Sequence, residues 1–183
     1  MDIVIKNDVT SVYQSIELMA SGLSPMTCDY LWFKKKGDNC AEWSLADVSQ
    51  SVKLYKRNAD IIPAWSMKTM LTILPEYLSD NVLGDCRLSI RKTTRHDMSC
   101  DVGDTEWFVC YEDSEGNILE SSVWADLKDS VAFMMIKVLS RDYMSHMKYT
   151  DRFVERCYKS ITEHLKSKDK EFYDEVMRLE EPF

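Results

Sequence analysis

A chain of 183 residues, 45% apolar and 30% charged, is long enough to bury a core without disulfides or metal, and this balance excludes a disordered chain. The formal charge of −8 excludes nonspecific binding to phosphate backbones and suits either a basic protein partner or plain solubility. No apolar run approaches the roughly 18 residues of a membrane helix, and Met1-Asp2-Ile3-Val4-Ile5-Lys6 lacks the basic and apolar stretches of a signal peptide, so a cytoplasmic location is expected.

One domain over residues 1–183 is predicted, with no linker and no repeat. A first helix starts near Thr10 with Val12, Ile16 and Met19 as its apolar stripe and stops at Gly22, a residue suited to the left-handed position after a helix. Ser24-Pro25 reads as a cap and first residue of a short turn. Tyr30–Phe33 reads as a strand, and Lys36-Gly37-Asp38-Asn39 as a turn leading to Cys40–Trp43, which makes a hairpin. Leu45 to Asn58 suits either a helix or extended structure. Ser66 caps a helix carrying Met67, Met70, Leu71 and Leu74, which Pro75 ends.

Cys86–Arg91 alternates with period two, with Cys86, Leu88 and Ile90 on one face and Arg87, Ser89 and Arg91 on the other. Trp107–Tyr111 is apolar on both faces, as a central strand is, and Ser114-Glu115-Gly116-Asn117 turns it into Ile118–Val123. Asp126 caps a helix with Leu127, Val131, Met134, Met135 and Val138 in register. Beyond it, Phe153, Cys157, Ile161 and Leu165 keep helical spacing, and Phe172, Val176 and Leu179 begin a further stripe. The expectation is an α+β fold in which an antiparallel sheet of two hairpins is packed by helices. The core spans about residues 1–144, with an added helical segment over about 145–183. Trp32, Trp65, Leu71, Leu74, Trp107, Val109, Val131, Met135 and Val138 are the expected core residues.

The cysteines at 28, 40, 86, 100, 110 and 157 are scattered and read as reduced thiols. His96, His146 and His164 have no partner at metal-ligand spacing, so neither metal nor cofactor is expected. Phosphate-cradling, acyl-transfer and metallohydrolase signatures are missing, which points to a non-enzymatic protein. A cysteine-dependent enzyme, for example with Cys100 beside His96, is a remaining alternative. Acidic residues gather at the second hairpin, where Glu112, Asp113 and Glu115 are candidate contacts for a basic surface; a solvated edge that discourages aggregation is the simpler reading of the same residues. Arg87 and Arg91 share a strand face and could hold a nucleotide or small ligand, or simply line the solvent side of a sheet. Phe153, Phe172 and Leu179 are candidate apolar anchors for a partner.

The run Pro63-Ala64-Trp65-Ser66-Met67-Lys68-Thr69-Met70-Leu71-Thr72-Ile73-Leu74-Pro75 resembles the Ala-Trp-Ser-x-x-x-Leu-Leu-x-x-Leu-Pro segment of small proteins from Bacteroidetes and their phages or prophages. Met70 stands for one leucine. Ser15–Trp32, with Leu23-Ser24-Pro25, and also Trp107–Tyr111 and Asp129–Tyr143, are similar to other parts of that family. The likeness covers roughly residues 10 to 144, and the tail after Met144 departs from it. The resemblance implies a mobile-element origin and a host-cytoplasm location, and it carries over no functional residue. The combined expectation is a phage or prophage binding protein that acts on a host or phage macromolecule. A protein or ribonucleoprotein partner is expected, and inhibition of a host defence such as CRISPR (an anti-CRISPR-like role) fits that setting.

Overall fold

The structure is a computed structural model that describes residues 7–36, 42–57, 59–95, 104–141, 143 and 159. Helix α1, Val12–Ala20, begins with a reciprocal cap: Gln14 N–H donates to Ser11 Oγ at 3.2 Å, and Ser11 N–H donates to Gln14 Oε1 at 2.9 Å. Gly22, at φ +102°, turns the chain out of the helix. Ser24 then caps a 3-10 turn over Pro25–Thr27.

Strands β1 (Tyr30–Lys35), β2 (Ser44–Asp47) and β3 (Ala59–Ala64) form an antiparallel sheet in the order β2-β1-β3. The first expected hairpin is therefore present, with its return strand at Ser44–Asp47 just after Trp43; Gly37, Asp38, Asn39 and Cys40 lie outside the described residues. The ambiguous middle resolves into both alternatives, with β2 followed by a 3-10 turn at Val48–Gln50 and helix α2 at Ser51–Lys56. β3 accommodates Pro63 because it lies at the edge, where a missing N–H breaks no ladder on the open side. Helix α3, Met67–Ile73, starts at Ser66, whose hydroxyl accepts from Thr69 N–H.

A second antiparallel sheet runs β4-β5-β6-β7, with β4 at Tyr77–Asp80, β5 at Gly84–Arg95, β6 at Asp104–Glu112 and β7 at Ile118–Trp124. Helix α4, Leu127–Ser140, follows Asp126, which accepts from the N–H groups of Lys128 and Asp129. Helices with two antiparallel sheets define the α+β class.

The buried side chains make one apolar cluster that draws on both sheets and on α1, α3 and α4. Val131, Met134, Met135 and Val138 of α4 are fully buried. Each such side chain gains about 1.5–3 kcal/mol on leaving water. Gln14 of α1 donates to Asp129 of α4 at 2.8 Å. Of the expected core residues, Trp32, Trp65, Leu74, Val109, Val131, Met135 and Val138 are buried, whereas Leu71 and Trp107 are half-buried. On α3 it is Met70 that points fully inward.

Polar ties fix the apolar layers. Thr10 N–H donates to Trp65 O at 2.9 Å, and Trp65 N–H donates to Thr10 Oγ1 at 3.0 Å. The Trp32 indole donates to Thr10 O at 2.7 Å. The Asp29 carboxylate accepts from Ser66 N–H at 2.8 Å, from Ser66 O–H at 2.5 Å and from Thr69 O–H at 2.8 Å, which ties α3 to the start of β1. Such bonds to a charged acceptor are about twice as strong as neutral ones.

Candidate functional site

The strand registers sort the second sheet into two faces. Val109 and Tyr111 of β6 and Glu120 and Ser122 of β7 are buried and point toward the α4 side. Tyr77, Arg87, Ser89, Arg91, Phe108, Cys110, Glu112, Ser121 and Val123 point the other way. That outer face is open to solvent at Tyr77, Arg87, Arg91 and Val123.

The structure brings together residues that sequence assigned to rival roles. Arg91 donates twice to Glu112, at 3.0 and 2.9 Å, and its guanidinium lies 4.8 Å from the Phe108 ring centre. Arg87 pairs with Glu76 at 3.3 Å and lies 5.9 Å from the Tyr77 ring centre. Each guanidinium already faces a carboxylate, so a phosphate would have to displace it. Arg91 and Ser89 hold the Glu112 carboxyl below its usual range.

Asp113 closes the β6–β7 turn by accepting from Glu115 N–H, Asn117 N–H and the Asn117 side-chain amide at 2.8–2.9 Å. Gly116, at φ +85°, supplies the left-handed residue this turn needs. Glu115 projects into solvent. The β4–β5 turn lies at the same end of the sheet, since Asp80 pairs with Gly84 and Arg87 with Glu112. Asp80 accepts from the N–H groups of Val82 and Leu83, and Asp85 accepts from Ser79 O–H at 2.5 Å. The Cys86 thiol registers the convergence: it is pushed up by burial first, and then by the charges of Asp113, Asp80 and Asp85. Hydrogen bonds hold Asp80 and Asp113 below the ordinary carboxylate value, so both stay ionised.

The acidic end is thus larger than the hairpin tip that sequence identified. Glu76, Asp80 and Asp85 join Glu112, Asp113 and Glu115, with Arg87 and Arg91 as the cations among them. Asp80 and Asp85 lie about thirty positions before Asp113, and only strand pairing unites them. Val82, at 88% exposure, is an apolar tip beside these carboxylates.

Burial pushes the Cys28 thiol up to about 12 and, together with Glu112, the Cys110 thiol up to about 11, opposite to the shift a nucleophilic thiolate needs. Cys28, Cys86 and Cys110 are free thiols. The Cys100–His96 pair, His146 and His164, and the anchors Phe153, Phe172 and Leu179 lie outside the described residues, as does the added C-terminal segment apart from Lys159. Among the described residues no His, Cys, Asp and Glu side chains form a metal-holding group, and no helix is long and apolar enough to cross a membrane.

Compared with protein-family models, with curated proteins and with solved structures, the chain matches none.

Proposed function

We propose that this chain is a non-enzymatic binding protein of phage or prophage origin that meets a basic surface of a host or phage macromolecule with the acidic end of its second sheet. The observation that supports this reading is the convergence of the β4–β5 and β6–β7 turns, which gathers Asp80, Asp85, Asp113 and Glu115 at one end of a rigid sheet. Fixed carboxylates of one sign raise the encounter rate with a cationic partner. The resemblance to phage-borne proteins adds the setting. A CRISPR ribonucleoprotein carries a positively charged nucleic-acid channel, which is a surface of the required sign, and inhibition of such a defence complex is the role we assign.

The test is affinity capture of the tagged chain from infected cells, with identification of bound protein and bound RNA. It is run beside Asp85→Lys and Glu115→Lys, two positions where charge reversal breaks no turn amide. The expected result is one dominant partner with a basic face, captured at least tenfold less by the double variant and progressively less as salt rises. Equal capture by both proteins would refute the reading.

A further inference from the structure

Cations collect at one end of the first sheet, and its topology is what gathers them. β2 and β3 pair with β1 from opposite sides, so α2 crosses from the Tyr30 end of β1, where Asp47 is the partner, to the Lys35 end, where Ala59 is. Lys53 and Lys56 lie in the last turn of α2 and Arg57 at its C-cap. They arrive where β1 ends in Lys34 and Lys35 and runs on into Lys36. Arg57 lies two positions before Ala59, which stands opposite Lys35, so the backbones at Arg57 and Lys35 are within about 12 Å of each other.

These cations differ in kind from the arginines of the second sheet. Arg87 and Arg91 each face a carboxylate, whereas Lys35, Lys36, Lys53, Lys56 and Arg57 are exposed and form no ion pair with a described residue. In segments 34–36, 42–43 and 53–60 the described acids are Glu42 and Asp60, against six cations. The charge of −8 is a sum over the whole chain, but salt at physiological strength screens each charge over about 8 Å, so a ligand at this end meets a positive field.

Aromatic surface is interleaved with the charge. Tyr55 is 49% and Val52 62% exposed, three positions apart on α2, and the Lys34 ammonium lies 5.0 Å from the centre of the Trp43 ring. Ordinary structural roles account for only part of this. Cations in a last helical turn offset the helix dipole, which covers Lys53 and Lys56. Lysines on an edge strand block unwanted pairing, but β1 is the central strand and has no open edge to guard. A positive field around an accessible ring suits a single-stranded nucleic acid, whose phosphates take the cations and whose bases stack on the ring. A bilayer fits less well, because α2 has six residues, about 9 Å of helix, and a flat anionic surface also meets the acids of the rest of the chain.

We infer that this end of the first sheet binds a single-stranded nucleic acid, with Lys35, Lys36, Lys53, Lys56 and Arg57 on its phosphates and Tyr55 stacked on a base. The site uses no residue of the acidic end, and it holds whether or not the preceding reading does.

Fluorescence anisotropy of the purified full chain tests it, with labelled RNA and DNA single strands of about 12 nucleotides, a length within the span such sites cover. The expected result is saturable binding whose log affinity falls against log salt with a slope of about −3.5, from five phosphates at about 0.7 each. Lys53→Glu/Lys56→Glu should bind about tenfold more weakly or worse at an unchanged thermal midpoint. Tyr55→Ala should lose about fivefold or more, and Tyr55→Phe, which keeps the ring, less than about twofold. The tighter of the two forms names the strand as RNA or DNA, and either upholds the inference. Equal competition by polyglutamate would assign the face to an acidic protein, and equal binding to anionic vesicles would assign it to a membrane. Either result would overturn the inference, as would unchanged affinity in the double charge variant or in Tyr55→Ala, or no binding at about 50 mM salt. Capture of a basic partner through Asp85 and Glu115 is a separate readout, so failure of either idea leaves the other measurable.

Discussion

Asp29 joins two segments that lie 37 residues apart, and replacing it exposes how much of the first sheet depends on one carboxylate. In Asp29→Ala the Ser66 N–H and the hydroxyls of Ser66 and Thr69 lose their shared acceptor. Each hydrogen bond to a charged group is worth about 1.5–3 kcal/mol. The three do not add, because the hydroxyls stand 3.1 Å apart and can bond to each other, and Ser66 Oγ still caps Thr69 N–H. The stranded group is the Ser66 amide, together with the lost anchoring of α3. The expected loss is about 3 kcal/mol for alanine and about 1 kcal/mol for asparagine, which keeps one acceptor oxygen and offers an amide to hydroxyls able to reverse roles. Urea unfolding followed by tryptophan emission measures both, since Trp65 adjoins Ser66 and is fully buried. A loss under 1 kcal/mol for Asp29→Ala, at unchanged denaturant slope, would refute the reasoning.

Met70→Ala should cost about 2–5 kcal/mol and exceed Leu71→Ala, because Met70 is fully buried and Leu71 only half; the reverse order in urea titrations would mean that α3 is rotated. Leu71→Asp should still destabilise, by less than Met70→Asp, as thermal midpoints can show. Asp80, Glu112 and Asp113 titrate below their ordinary values in the folded chain, so their stabilising contribution is complete above about pH 4.5 and is lost as pH falls through the lower folded values. Thermal midpoints should therefore decline below about pH 4.5, with a shallower decline in Asp113→Asn, and an identical slope would count against the turn bonds. Cys28, Cys86 and Cys110 should resist iodoacetamide at neutral pH until the chain unfolds, given their raised thiol values and burial; rapid labelling of any of the three in the native protein would contradict their placement.

The parts of the fold that sequence revealed are those set by neighbours along the chain. Ser66, Asp126 and the Ser24-Pro25 pair are caps because a short polar side chain before an apolar stripe can reach orphan N–H groups two or three residues ahead. The β6–β7 hairpin follows from a Glu-Gly-Asn turn between two strand-like runs. β3 and β4 carry no such local signal. Ala59–Ala64 contains a proline and becomes a strand through pairing with β1, while Tyr77–Asp80 is four residues long and owes its form to β5. The candidate site divides the same way. Asp113 and Glu115 sit in one turn and were visible, whereas Asp80 and Asp85 join them only across the sheet. The Arg91–Glu112 pair was equally hidden, because its members are 21 residues apart and no local pattern couples them.

The ties around Thr10 bear on how the chain can be made. Thr10 is bonded to Trp32 and Trp65, and β1, β2, β3 and α3 all lie between residues 30 and 73, so every strand of the first sheet has been synthesised once about seventy residues have left the ribosome. The Gln14–Asp129 bond and the burial of Val131, Met134 and Met135 must wait for sixty more residues. For that interval α1 and α3 lack the helix that covers them, and the nascent chain presents an apolar surface that α4 later closes. At the roughly 5–20 residues per second of translation the gap lasts about three to twelve seconds. A chaperone that recognises apolar chain has its opportunity in that window, and slow codons between positions 74 and 127 would lengthen it.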